Sequence, residues 1–233
     1  MSPVTEAGVY PGVPDADYHA DPALSSTALR KVLAPSTPAH LRHYLDHGQA
    51  TKAAYDVGHA VHREILGEGA VIAVPSDGDD VPYEEWRKAD AKAEVARIRA
   101  RGQVPVKPDA MATVQAMAAA VRGHPTAGPL MDRDRVPQAQ AELSMWWQDA
   151  TTGVWCRSRF DLLTLDGAGR LIGVDVKSTG DASPSGFAKS VASYRYDQQA
   201  AHYLAGCAAL DAGADVGFVF VAVEKDPPHG IGL

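Results

Sequence analysis

VWCRSRFDLLTLDGAGRLIGVDVKS, residues 154–178, is the stretch whose reading decides the fold. β-Branched and apolar residues run up to Asp166-Gly-Ala-Gly169 and resume at Leu171, which predicts two strands joined by a tight turn. Side chains alternate across a strand. On the second strand, Ile172, Val174 and Val176 therefore fall on one face, while Asp175 and Lys177 share the other. On the first, provided no bulge intervenes, Arg157, Arg159 and Asp161 share a face. Two carboxylates and a lysine on neighbouring strands form a candidate site for a hard divalent cation with an amine beside it. The same pattern also suits the solvated face of an ordinary hairpin, so the rest of the chain has to decide.

The 233 residues, 45% of them hydrophobic, are enough to bury a substantial core. Cys156 and Cys207 are too few for a disulfide framework or a four-thiolate cluster, which points to a reducing compartment. The N-terminal stretch has no basic segment followed by an apolar one, and no apolar run approaches a membrane span, so a cytoplasmic location is expected. The formal charge of −7 does not advertise nucleic-acid binding. A phosphate-gripping protein with this balance has to concentrate its basic residues locally.

Working outward from the hairpin, residues 1–24 read as a turn-rich arm with Tyr10, Pro11, Pro14 and Tyr18 able to pack on the body. Ser25-Ser26 and Thr37-Pro38 signal the starts of two short helices, a hairpin made locally basic by Arg30, Lys31, His40, Arg42 and His43. A third helix, from about Thr51 to Leu66, carries Ala54, Val57, Val61 and Ile65 as its inward stripe. Gly58 and His62 lie one turn apart beside that stripe, and a glycine inside a helix predicts close approach of something to the backbone. His59 lies about 300° around the helix from His62 and faces other surroundings. The SDGDD loop at 76–80 lacks the later ligands of a calcium loop. Helices are expected over Tyr83–Ala100 and Pro108–Arg122, and a strand over Gln138–Gln148 with Glu142 on its polar face. Glu142 is a further acid near the site or a partner for Arg157 or Arg159. Helices over 184–193 and 194–210 follow, with Gln199 and Tyr203 four apart, and a buried strand runs from Val216 to Val223.

The order Gly58-x-x-x-His62, Glu142, Asp161, Asp175-x-Lys177, Gln199-x-x-x-Tyr203 resembles the PD-(D/E)XK nuclease superfamily. More specifically it is similar to the exonuclease VIII (RecE-type) nucleases of phage and prophage recombination, relatives of lambda exonuclease. The similarity covers most of the chain and extends to YHADPALSSTALRKVL, VDVKST and YDQQAAHYL. It implies an α/β fold with a mixed central sheet flanked by helices, restriction-endonuclease-like, in one nuclease domain. Within it, residues 1–50 would form the arm and helical hairpin, 51–135 a helical part with the metal-site helix, and 136–233 the sheet core. It also implies that His62, Asp161 and Asp175, with the backbone carbonyl of Val176, hold Mg²⁺ or its substitute Mn²⁺. Lys177 would orient or activate the attacking water, and Gln199 and Tyr203 would line the DNA path. Asp175 stands where most of the superfamily has glutamate, which shortens the reach to the metal by one methylene. The chain ends just past VAVEKDPP, where relatives usually continue with another helix.

The chemistry asks for these residue types. Hydrolysing a phosphodiester requires neutralising charge that builds on the phosphate oxygens and leaving group, and delivering hydroxide in line. Arg157 and Arg159 would either tether the carboxylates or hold a phosphate bidentately. The resemblance implies a magnesium-dependent exonuclease acting on duplex DNA ends, 5′ to 3′, in phage-type recombination. Its expected partners are DNA, other copies of the chain in a ring, and a single-strand annealing protein. The rivals are a catalytically silent DNA-binding scaffold and an endonuclease or single-strand nuclease of the same superfamily.

Overall fold

A computed structural model describes residues 4–33, 35–48, 53–211 and 215–233. In chain order, β1 (Gly8–Tyr10), α1 (Asp15–Ala20), α2 (Ser26–Arg30) and α3 (Pro38–His47) precede α4 (Ala53–Leu66). Then come β2 (Ile72–Ala73), α5 (Ala89–Ala100), β3 (Val104–Pro105), α6 (Pro108–Gly123) and α7 (Ala127–Met131). The last segment holds β4 (Gln140–Gln148), β5 (Trp155–Leu165), β6 (Leu171–Thr179), α8 (Pro184–Tyr194), α9 (Tyr196–Leu210), β7 (Val216–Glu224) and β8 (Ile231–Gly232). A six-stranded mixed sheet of order β1-β4-β5-β6-β7-β8 is flanked by helices, the α/β architecture expected. β2 and β3 form a separate parallel pair. The chain divides into two compact units, the first of Met1–Ala50, Arg133–Asp175 and Ser183–Phe220, the second of Thr51–Asp132, Val176–Ala182 and Val221–Leu233.

In the first unit, the hairpin forms as its alternation predicts. β5 and β6 pair antiparallel from Leu162↔Val174 to Leu165↔Leu171, closed by Asp166, whose side chain accepts from the backbone N–H of Ala168 and Arg170. α9 covers one face of the sheet. There Met145, Trp147, Cys156, Phe160, Tyr203 and Cys207 form a buried cluster. Two glycines let these layers close: a Cβ on Gly206 would sit 2.8 Å from the Trp147 ring, and one on Gly173 would sit 2.3 Å from the Phe160 ring. The other face was expected to be polar. Instead the N-terminal arm covers it, with Tyr18, Ala23 and Trp146 buried together. β1 pairs with β4 along Gly8↔Trp146 to Tyr10↔Ser144, and Leu24 bridges to Cys156. The polar residues of that face face protein.

In the second unit, α4 packs on α6. Ala60, Val61 and Ile65 are buried on α4, as are Val114, Met117 and Val121 on α6, matching the helical spacing. Asp56 on α4 is buried and paired with Arg99 on α5 at 2.7 Å. Thr51, where the sequence put the start of this helix, lies outside the described residues, and so does the side chain of Ala54. The helix expected from Tyr83 begins only at Ala89, because the first residues of that stretch are committed to a turn: Tyr83 N–H donates to the Pro75 carbonyl. Asp77 organises its own loop by accepting from the N–H groups of Asp79 and Val81.

Candidate active site

β5 and β6 carry the acids of the first unit. The β5–β6 ladder ends at Leu162↔Val174, and Asp161 and Asp175 are the next residues on the two strands. Both are buried, Asp175 to 1% exposure. On the opposite side of β5, the β4 ladder runs through Leu143↔Phe160 and Ala141↔Leu162, so Glu142 occupies the position facing Asp161. Glu142 and Asp161 thus form a short acid row, with Asp175 just past the end of the β5–β6 ladder.

The row coincides with a break in the sheet's regularity. Glu142 has φ +50°, a left-handed conformation that costs a non-glycine residue about 1–3 kcal/mol. Phe160 and Leu163 both pack toward the α9 cluster although they are three residues apart, so the strict alternation of β5 fails between them. The expectation that Arg157, Arg159 and Asp161 share a face assumed no such irregularity. Arg157 and Arg159 do share one, with guanidinium carbons 5.0 Å and 4.1 Å from the centre of the Tyr18 ring, and Asp161 lies at the break.

The arginines are occupied inside the protein. Arg157, 5% exposed, donates to the carbonyls of Asp21 and Ala23. Arg159, 9% exposed, donates to Ser144 Oγ at 2.8 Å, to the Val13 carbonyl at 2.8 Å and to Asp15 at 3.3 Å, with Glu142 3.8 Å away. Of the two roles set out for Glu142, it is near enough to Arg159 for the pairing one. The phosphate contact expected of Arg157 and Arg159 does not fit their burial: their guanidiniums anchor the arm. Sandwiched among them, the Tyr18 phenol is pushed up to about 12, chiefly by burial, with the two arginines pulling the other way.

α9 brings Gln199 to the site. Its Nε2 donates to Asp175 Oδ1 at 2.5 Å and lies 3.4 Å from the Tyr203 hydroxyl. A hydrogen bond to a carboxylate is about twice as strong as a neutral one, so Gln199 fixes the rotamer of Asp175. Tyr203 is buried in the α9 cluster, edge-on to Phe160 and Phe218, and was expected instead along a DNA path. Burial raises its phenol well above the ordinary value, reinforced by the nearby charges of Asp175 and Asp161, so it stays a neutral hydrogen-bonding group. The Gln–Tyr spacing therefore braces Asp175 from above.

In the second unit, α4 presents His62 to the strand segment that begins at Val176. The ring Nε2 lies 2.9 Å from the Val176 carbonyl oxygen and, being the only possible donor of the two, donates to it. Lys177 follows, half-buried. His59 is exposed, although an offset of about 300° is only about 60° the other way round, so packing and not the angle separates it from His62. At Gly58 an added Cβ would meet no described atom within 4 Å, so the chain's own packing does not supply the close approach its presence suggested.

The acids of the first unit are of the type that a hard dication takes. Asp161 and Asp175 are both buried, and a bound dication offsets the cost of burying carboxylates. The His62 Nε2 to Val176 O distance of 2.9 Å is that of a hydrogen bond. Among the described residues, no three His, Cys, Asp or Glu side chains form a ready-made ligand cluster.

A six-stranded mixed sheet with helices on its faces is an α/β architecture consistent with a PDDEXK-like fold, which suggests a nuclease-type function. The chain belongs to the family described as PDDEXK-like domain of unknown function (DUF3799), whose model matches residues 25–233. PDDEXK nucleases typically use divalent metal ions. No curated protein matches the sequence.

Sequence reasoning missed the clamp that Arg157 and Arg159 make on Tyr18. Its signal was present: Arg157 and Arg159 share one face of a strand, and the arm carries Tyr10 and Tyr18 able to cover a sheet face. No helix of the described residues is long and apolar enough to cross a membrane.

Proposed function

We propose that this protein is a metal-dependent exodeoxyribonuclease that hydrolyses duplex DNA from its ends, 5′ to 3′, as in phage-type recombination. The observation that carries the reading is the buried, Gln199-braced Asp175, with Asp161 buried at the same end of the β5–β6 ladder, inside a PDDEXK-like family match. In this reading His62, Asp161, Asp175 and the Val176 carbonyl hold Mg²⁺, with Mn²⁺ able to replace it. Bound there, the dication would lower the pKa of a water and neutralise charge on the phosphate oxygens.

The chain's own residues do the rest. Gln199 holds Asp175 in one orientation, so the carboxylate needs no reorganisation when the ion enters. Tyr203, kept neutral by burial, adds no competing charge beside the acids. Lys177 orients the attacking water or moves its proton, and the exposed basic residues of the N-terminal helices contact DNA phosphates. A cyclic homo-oligomer of three or four copies would enclose the duplex, with a single-strand annealing protein receiving the strand left behind.

Polarity is tested with linear duplex labelled at either the 5′ or the 3′ end. Immediate release of the 5′ label as a mononucleotide, with the 3′ label lost late, is expected. Internal cuts on covalently closed circles, or early loss of the 3′ label, would replace this activity with another.

A further inference from the structure

The acid row and its surroundings leave a second feature of the first unit unused. Between α2 with the turn after it and the junction of α8 and α9 lies a cleft of about 450 Å³, lined by Thr27, Arg30, Lys31, Ser193, Tyr194 and Arg195 among others. Pockets of this size take small ligands or a segment of a larger one. Among the described residues, no Asp or Glu lines it. In a chain of formal charge −7, three cations gathered without a lining carboxylate are a local reversal of the protein's field.

The cations are held in place. Arg30 donates to the Tyr194 carbonyl at 2.6 Å and to Thr27 Oγ1 at 3.2 Å, which ties α2 to the end of α8. Lys31 sits over the Tyr44 ring, 5.7 Å from its centre. Arg195 is the single residue between α8 and α9, in the left-handed region at φ +55°, and its Nε lies 3.5 Å from the exposed Asp197. The positive end of the α9 dipole adds to the same side. Beside these cations, Tyr194 is 57% exposed and its ring stacks on Tyr196, with centroids 5.6 Å apart and planes 25° from parallel. An open aromatic ring next to fixed cations is the pairing that single-stranded nucleic acid uses, stacking for the base and charge for the backbone.

We infer that this cleft binds an unpaired nucleic-acid strand, its backbone phosphate held by Arg30, Lys31 and Arg195 and an adjoining base stacked on Tyr194. The identity of the ligand rests on the nuclease reading; the cleft's chemistry does not. For an enzyme that consumes one strand of a duplex, such a site retains the strand end between turnovers.

Fluorescence anisotropy with a labelled 12-nucleotide oligothymidylate, in chelator so that no cleavage intervenes, tests it. The Lys31→Gln/Arg195→Asn double variant should bind at least tenfold more weakly, with a log–log salt slope shallower by about 0.7 per contact removed. Tyr194→Ala should lose about five- to a hundredfold, and an oligonucleotide abasic throughout should bind the wild type and this variant equally. Unchanged affinity and salt slope in the variants would overturn the assignment, as would polyglutamate or thymidine monophosphate competing as well as the oligonucleotide. If the double variant fails to melt like the wild type, Tyr194→Ala and the abasic strand decide alone. Loss of binding in the variants, alongside a wild type that leaves duplex DNA intact with Mg²⁺, would keep the cleft and remove the nuclease. DNA digestion with normal binding in every variant would do the reverse.

Discussion

At the scale of single residues, the two neighbouring histidines of α4 separate cleanly. His62 touches the carbonyl of Val176, next to the Asp-x-Lys lysine, while His59 is exposed. Mn²⁺ titrated calorimetrically into His62→Ala should bind at least tenfold more weakly than into the wild type, and His59→Ala should bind normally. Equal affinities in all three would remove His62 from the ligand set. Helical periodicity did not make this contrast legible: an offset of about 300° is about 60° the other way round, so residues three apart are neighbours on the helix surface and tertiary packing separates them. It could not show that Tyr203 points into the core: four-residue spacing puts Gln199 and Tyr203 on one helix face without telling which side chain stops at the acid and which goes past it.

At the scale of elements, β4, β5, β6, α8, α9 and β7 were legible to within a residue or two, since each has a clear period and a turn or cap at its ends. β1, β3 and β8 were not. They are two or three residues long and exist because a neighbouring strand offers free backbone groups, a cause that leaves no local pattern. The same tertiary cause hid the arm's role. Tyr18 on α1 and the Arg157–Arg159 pair on β5 make one buried unit, so Arg159→Ala should lower unfolding free energy by about 2–4 kcal/mol, as for buried charge-assisted hydrogen bonds lost together. Urea denaturation measures this, and the salt dependence of DNA binding should stay as in the wild type. A shallower salt slope with unchanged stability would instead return Arg159 to the DNA surface.

The clamp also fixes a pH dependence. Tyr18 titrates near 12 in the folded protein and near 10 when unfolded, so the native state holds the proton more tightly. Its contribution is complete below pH 10 and fades between pH 10 and 12, amounting to about 3 kcal/mol for a shift of this size. Tyr203 acts in the same direction. Melting temperature should therefore fall steeply above pH 10, and Tyr18→Phe should fall less steeply over that range. Identical alkaline profiles for the two proteins would show that Tyr18 does not carry this linkage.

At the scale of the whole molecule, charge and substrate pull against each other. A net charge of −7 gives no long-range attraction to DNA, and phosphate contacts weaken steeply with salt. Enclosing the duplex in a ring multiplies each copy's local cations without changing them. Light scattering over a dilution series should give a trimeric or tetrameric mass. A monomeric mass together with processive digestion would place retention elsewhere.

The central claim is that Asp161 and Asp175 hold a catalytic dication beside Lys177. Its most direct test is the rate of acid-soluble nucleotide release from linear duplex with Mg²⁺, and with chelator, for wild type, Asp175→Asn and Lys177→Ala. We expect release only with Mg²⁺ and only background from Asp175→Asn. Lys177→Ala should release nucleotides about a hundredfold more slowly while still binding Mn²⁺, the scale of losing a proton-transfer group. Equal release in chelator, or an Asp175→Asn protein as active as the wild type, would contradict the account.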